Sequence, residues 1–198
     1  MKKVVFLVLI ILKGVCGFCQ PNLQCNNFNA YGIQHCIAGI QSAFLNVVSK
    51  KQNESEWCWA ASISTVFAYY GHSVSQERVV KETFGQIENL PGDPNQILQA
   101  LNRVWIDDNG TSFNVSANSL SANQITAIQD LISGNPLIIG SHGHAMVLTA
   151  IEYDHDIFNK VAVTNSIVRD PWPNNNSPRS LTISEWSQYS FLARIRVY

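Results

Sequence analysis

The chain has 198 residues, of which 46% are hydrophobic, 10% aromatic and 14% charged. That length and apolar share suit one ordinary domain with a substantial core, and they exclude disorder as the main state. A formal net charge of −1 excludes a strong electrostatic pull toward nucleic acid or anionic lipid.

Met1-Lys2-Lys3 opens the chain with positive charge, and Val4 to Leu12 is unbroken apolar sequence. Nine helical residues rise only about 13 Å against a hydrocarbon core of about 30 Å, so this run cannot span a bilayer. With the small residues Gly17 and Cys19 ahead of Gln20, residues 1–19 read as a cleaved signal peptide, and the protein is expected in the periplasm or outside the cell. Cleavage there removes three lysines and no acid, taking the net charge to −4 and making nucleic-acid binding less favourable still. No other segment is apolar enough for stable membrane insertion.

Of the five cysteines, Cys16 and Cys19 leave with the signal peptide. Cys25 and Cys36 can then close a short disulfide loop in an oxidising compartment, within an Asn- and Gln-rich extension (residues 20–49) expected to wrap the domain. Cys58 remains unpaired. An unpaired thiol in an exported protein is a liability unless it is used.

Residues 50–198 carry the domain proper. Trp57 to Tyr70 is a predicted helix stopped by Gly71, and Ser75 to Phe84 a second, closed by Gly85. Asp93-Pro94 with Gln96 forms a capping box that opens a helix expected to reach Trp105. Ser121 with Gln124 repeats the signature, and Gly134 ends that helix. After Gly134 the pattern changes. Leu137 to Gly140, Met146 to Tyr153, Val161 to Val168 and Phe191 to Val197 read as strands. Helices first and strands second predict an α+β domain: a helical lobe on a twisted, mostly antiparallel sheet, with a site between the lobes.

The chemistry centres on Cys58, at the start of the first predicted helix of the domain. Exposed N–H groups and the positive end of the helix dipole there favour a thiolate, which is the nucleophilic form. Gln52 lies six residues earlier in a polar stretch. Its amide can donate, with the Cys58 N–H, to the oxyanion of a tetrahedral intermediate. A base is needed next, and His144, at a strand entry after Gly143, fits that role with His142 as its competitor. Asp170 ends the following strand and can orient the imidazole, with Trp172 shielding that bond from water. A metal site from His142, His144 and His155 is poorly spaced for zinc, and no cofactor is expected. The run Asn174-Asn175-Asn176-Ser177 reads as a solvated loop.

Gln52…Trp57-Cys58-Trp59-Ala60, Gly143-His144-Ala145 and Asp170-Pro171-Trp172, in that order, resemble papain-like cysteine proteases. The closest look is to the branch holding bacteriocin leader-processing peptidases and a secreted plant-pathogen effector protease. The resemblance covers roughly residues 50–195. It implies a papain-like fold with Cys58 as nucleophile, His144 as base, Asp170 as orienter and Gln52 as oxyanion donor. Asp170 stands where papain's own group uses Asn, which fits the leader-peptidase branch. Only 38 residues separate Cys19 from Cys58, too few for a large inhibitory prodomain plus a lobe. The expected protein is a monomeric cysteine peptidase acting on a peptide or protein substrate through an acyl-enzyme. The same triad also serves an amidase, a deamidase or an acyl transferase on side chains or cell-wall peptides, and a catalytically silent binding module would keep the same fold.

Overall fold

A computed structural model of the protein describes residues 22–119 and 122–198. Residues 1–19, the expected signal peptide, and Ser121 lie outside the described residues. The elements in order are β1 (Leu23–Cys25), β2 (Ile33–Gly39), α1 (Ser42–Val48), α2 (Cys58–Tyr69), α3 (Gln76–Phe84), α4 (Pro94–Leu101), β3 (Val104–Ile106) and β4 (Ser112–Asn118). Then come α5 (Gln124–Ile132), β5 (Leu137–Ser141), β6 (His144–Asp156), β7 (Val161–Arg169), β8 (Arg179–Ser180), α6 (Ile183–Ser187) and β9 (Tyr189–Val197).

All described strand pairs are antiparallel, in the order β1-β2-β6-β5-β9-β4-β3, with β7 and β8 following along the other edge of β6. β6 is long enough to pair twice on one edge: His144 to Leu148 face β5, and Ala150 to Asp156 face β2. The sheet is buried on both sides. On β5 and β6, Ile138, Ala145 and Val147 pack with α2, whereas Leu137, Ile139, Met146 and Leu148 pack with α5. Side chains alternate along a strand, so covering both faces demands the continuous apolar run seen at Leu137-Ile138-Ile139. The helices therefore do not form one lobe on one face, because α5 sits on the opposite side from α2.

α2 runs through the helical side with Trp59 to Phe67 all buried. α3 is capped by the Ser75 hydroxyl, which accepts from the Arg78 N–H, and it stops at Gly85 in the left-handed region (φ 82°). The Asp93–Gln96 capping box opens α4, but the helix ends at Leu101 rather than at Trp105. Asn102 is the reason: its side chain donates to the Leu98 and Ala117 carbonyls and accepts from the Ala117 N–H. Those bonds finish the helix and turn Val104–Ile106 into a strand beside β4. α5 is capped by Asn123 with Thr126, two residues on from the Ser121–Gln124 pairing read from the sequence.

The segment before residue 50 does more than wrap the domain. β1 and β2 extend the sheet along β6, and α1 buries Leu45. Cys25 and Cys36 are register partners on β1 and β2 and form a disulfide. Among the described residues no helix is long and apolar enough to cross a membrane.

Candidate active site

Cys58 is the first residue of α2, and the N-cap residue Trp57 supplies no side-chain cap. The first-turn N–H groups of α2 thus lack intrahelical acceptors and face the cleft end of the helix. Burial of Trp57 and Trp59 fixes this end. Their indole nitrogens also donate to the Glu88 and Leu90 carbonyls, at 2.8 and 3.2 Å, and so pin one wall of the cleft. Gly92 closes that wall. A Cβ at Gly92 would lie 2.6 Å from the Trp59 ring, so only glycine allows the approach.

Opposite Cys58, β5 and β6 are joined by the two-residue turn His142-Gly143, with φ of 52° and 76°. Positive φ at both central residues matches the twist of a tight hairpin. The turn separates the two histidines. His142 is exposed, and its Nε2 lies 3.2 Å from Gln188 Oε1, away from the sulfur. His144 opens the strand and faces Cys58. The Ala145 N–H contacts Cys58 Sγ at 3.4 Å, and Cys58 and His144 line the same cleft. His144 Nε2 lies 2.8 Å from Asp170 Oδ1; with Nε2–H donating there, Nδ1 is the nitrogen left for Cys58. Trp172 meets the imidazole edge-on, centroids 6.1 Å apart.

Asp170 is almost wholly buried and fully bonded. Oδ1 accepts from His144 Nε2 and the Trp172 N–H; Oδ2 accepts from Asn175 Nδ2 at 2.8 Å and Arg179 Nε at 2.6 Å. Arg179 is held in turn by both oxygens of Glu185. Burial alone would raise the Asp170 carboxyl, but these donors outweigh it and hold it well below the usual carboxylate range. Burial likewise pulls the His144 imidazole down. Hydrogen bonds and charge from Asp170 and Cys58 win, and the ring is raised to about 9.

Gln52 is buried, and its Nε2 donates to the Glu54 and Ser55 carbonyls at 2.9 and 2.8 Å. Its Oε1 has no partner. The backbone of Gln52 is tied across to the far half: its N–H donates to the Pro171 carbonyl at 2.8 Å. Next to it, Lys51 Nζ donates to the carbonyls of Asp170, Trp172 and Asn175.

Cys58 and His144 open onto a cleft of about 540 Å3. Pro91, Pro94, Ile97 and Phe191 make it apolar on one side, while Asn175, Arg179 and Glu185 make it polar on the other. Among the described residues no group of three His, Cys, Asp or Glu side chains is placed to hold a metal ion. His155 is occupied elsewhere, by Gln34.

Sequence reasoning missed Asn175, Arg179 and Glu185. The asparagine run was read as a solvated loop, yet Asn175 reaches inward to Asp170. The one legible sign of the others was the Thr182–Glu185 capping box, which opens α6 and places Glu185 beside Arg179.

A family profile described as the Peptidase_C39 like family matches residues 44–193. A search of curated proteins finds no match. Among solved structures, UfSP from C. elegans is similar at 15% identity and a TM-score of 0.46, over 75% of this chain and 31% of that one. The chain thus spans about a third of that protein's length. The profile covers about three-quarters of the chain, including Cys58, His144 and Asp170, so the protein belongs to the Peptidase_C39 like family.

Proposed function

We propose that the protein is an exported peptidase that cleaves peptide bonds through Cys58, His144 and Asp170, in the manner of the leader-processing branch. The observation that carries this reading is the convergence of the three residues: His144 shares the cleft with Cys58, whose sulfur meets the next residue's N–H at 3.4 Å, and lies 2.8 Å from Asp170. Asp170 fixes the ring so that Nδ1 faces the sulfur, and its charge favours the imidazolium. The Cys58 sulfur then attacks the substrate carbonyl carbon, and the displaced electron pair moves onto oxygen. The Cys58 N–H and one N–H of Gln52 would stabilise that oxyanion. For Gln52 this means swinging one hydrogen away from the Ser55 carbonyl, a movement that its unpartnered Oε1 does not resist.

Collapse of the intermediate breaks the C–N bond as His144 passes its proton to the leaving amine. Water attacks the resulting thioester, giving its proton to His144, and the thiolate leaves with the C–S electron pair. Export is supported by the apolar run behind Lys2 and Lys3 and by the Cys25–Cys36 disulfide, since such bonds persist in oxidising compartments. The leader-processing branch is supported by the aspartate at position 170 and by Trp57-Cys58-Trp59-Ala60. Mass spectrometry of a mixed peptide library tests the reaction. New termini that vanish with Cys58→Ala support peptidase action; a one-dalton gain without cleavage would assign the triad to deamidation.

A further inference from the structure

A separate cavity of about 200 Å3 is lined by Lys50, Lys51, Arg169 and Asp170, together with Asn46, Ser49, Ser177 and Pro178. Arg169 is the unusual member. It ends β7, is 4% exposed, and bonds only neutral acceptors: Asn46 Oδ1, the Ser42 carbonyl and the Ser42 hydroxyl. Its Nε has no partner. No carboxylate pairs with it among the described residues, and a buried charge left in that state is costly.

The neighbours deepen the imbalance. Lys50 brings a second positive charge to the rim, and Lys51 a third, its Nζ donating to loop carbonyls. The one acid in the lining, Asp170, has both oxygens taken by His144, Trp172, Asn175 and Arg179, and its charge is already matched by Arg179.

We propose that this cavity binds a small oxyanion, of the phosphate, sulfate or carboxylate class, on the Arg169 guanidinium with Lys50 at the rim. Guanidinium and ammonium groups with the Ser177 hydroxyl form a donor set suited to such ions. Burial pulls the Arg169 guanidinium below its ordinary value, the mark of a cation that lacks its counter-charge. Lys51 holds the carbonyls of Asp170, Trp172 and Asn175, so an anion beside it would firm the loop that carries Asp170. The site is independent of the sulfur chemistry.

The test is thermal unfolding of the full chain against inorganic phosphate, sulfate and acetate, each compared with chloride at matched ionic strength. A saturable rise in Tm with at least one oxyanion, and none with chloride, is expected. The ion giving the largest shift identifies the source. The shift should survive Cys58→Ala, and it should disappear in Arg169→Met. If that variant does not fold, Lys50→Gln decides, with half-saturation moving to several-fold higher concentration. Equal Tm in all four salts overturns the proposal, as does a shift unchanged in both variants.

Discussion

Arg179 Nε donates to Asp170 Oδ2 at 2.6 Å, on the carboxylate oxygen that His144 does not use. One carboxylate therefore carries two cationic partners, one on each oxygen, and Glu185 holds the second cation in place. Removing Arg179 leaves Oδ2 to Asn175 alone and lifts a positive charge from beside the imidazole. In Arg179→Gln, activity should fall and the basic limb of the pH–rate profile should move to higher pH, because imidazolium then meets less repulsion. Arg179→Lys should keep the limb near its original place. A loss of activity with an unshifted profile would give Arg179 a purely structural role.

The same pair predicts how stability depends on pH. Folding raises His144 to about 9, so its stabilisation is complete below the ordinary imidazole value of about 6.5 and is lost as pH climbs through the folded one. Asp170 moves the other way: its contribution is complete above the usual carboxylate range and is lost on acidification. The Tm difference between wild type and His144→Ala should therefore shrink between about pH 6.5 and 9, as followed by calorimetry. A gap constant across that range would contradict the assigned pairing.

For Gln52, transition-state stabilisation implies a loss in kcat rather than in KM. Gln52→Ala should lower kcat by about 10²–10³-fold, the usual effect of losing one oxyanion donor. Steady-state kinetics on a cleaved peptide would show this. A change confined to KM would move Gln52 from the chemistry to the architecture of the Asn53–Glu56 loop.

Gly92 gives a specificity prediction. Gly92→Ala sets a methyl group against the Trp59 ring, and overpacking of this kind costs about 1–3 kcal/mol. The wall is tied to α2 through Trp57 and Trp59, so the displacement should appear as a higher KM with a smaller change in kcat. Unaltered kinetics would show that this wall does not meet substrate.

How far the sequence revealed this arrangement depends on how local each signal was. Caps and stops that act within four residues, such as Ser75, Asp93 and Gly85, were legible because their chemistry is complete in the segment. Cys58, His144 and Asp170 were legible as residue types at a helix start, a strand entry and a strand end. The choice of His144 over His142 was not, since it rests on a turn whose two central residues have positive φ, and only one is glycine. The end of α4 was misread because Asn102 finishes the helix through Ala117, fifteen residues on. Likewise β1 and β2 join the sheet only through β6, more than a hundred residues away. Asn175 and Arg179 follow Asp170 by only five and nine residues, but no cap or periodicity marks those pairings, which depend on how the loop between them folds back.

Export predicts a defined new terminus. Protein recovered from outside the cytoplasm should begin at Gln20 and carry Cys25 and Cys36 oxidised, with Cys58 the free thiol. Intact-mass analysis before and after reduction and alkylation would show both features. An N-terminus that retains Met1 in exported material would overturn the cleavage assignment.

The claim beneath all of these is that the His144 ring acts on the Cys58 sulfur. Its most direct measurement is the rate of alkylation of Cys58 by iodoacetamide across pH, in wild type and in His144→Ala, read by peptide mass spectrometry. The account predicts labelling of the wild type near neutral pH that is much faster than that of the variant. Superimposable profiles for the two proteins, both rising only toward alkaline pH, would contradict it.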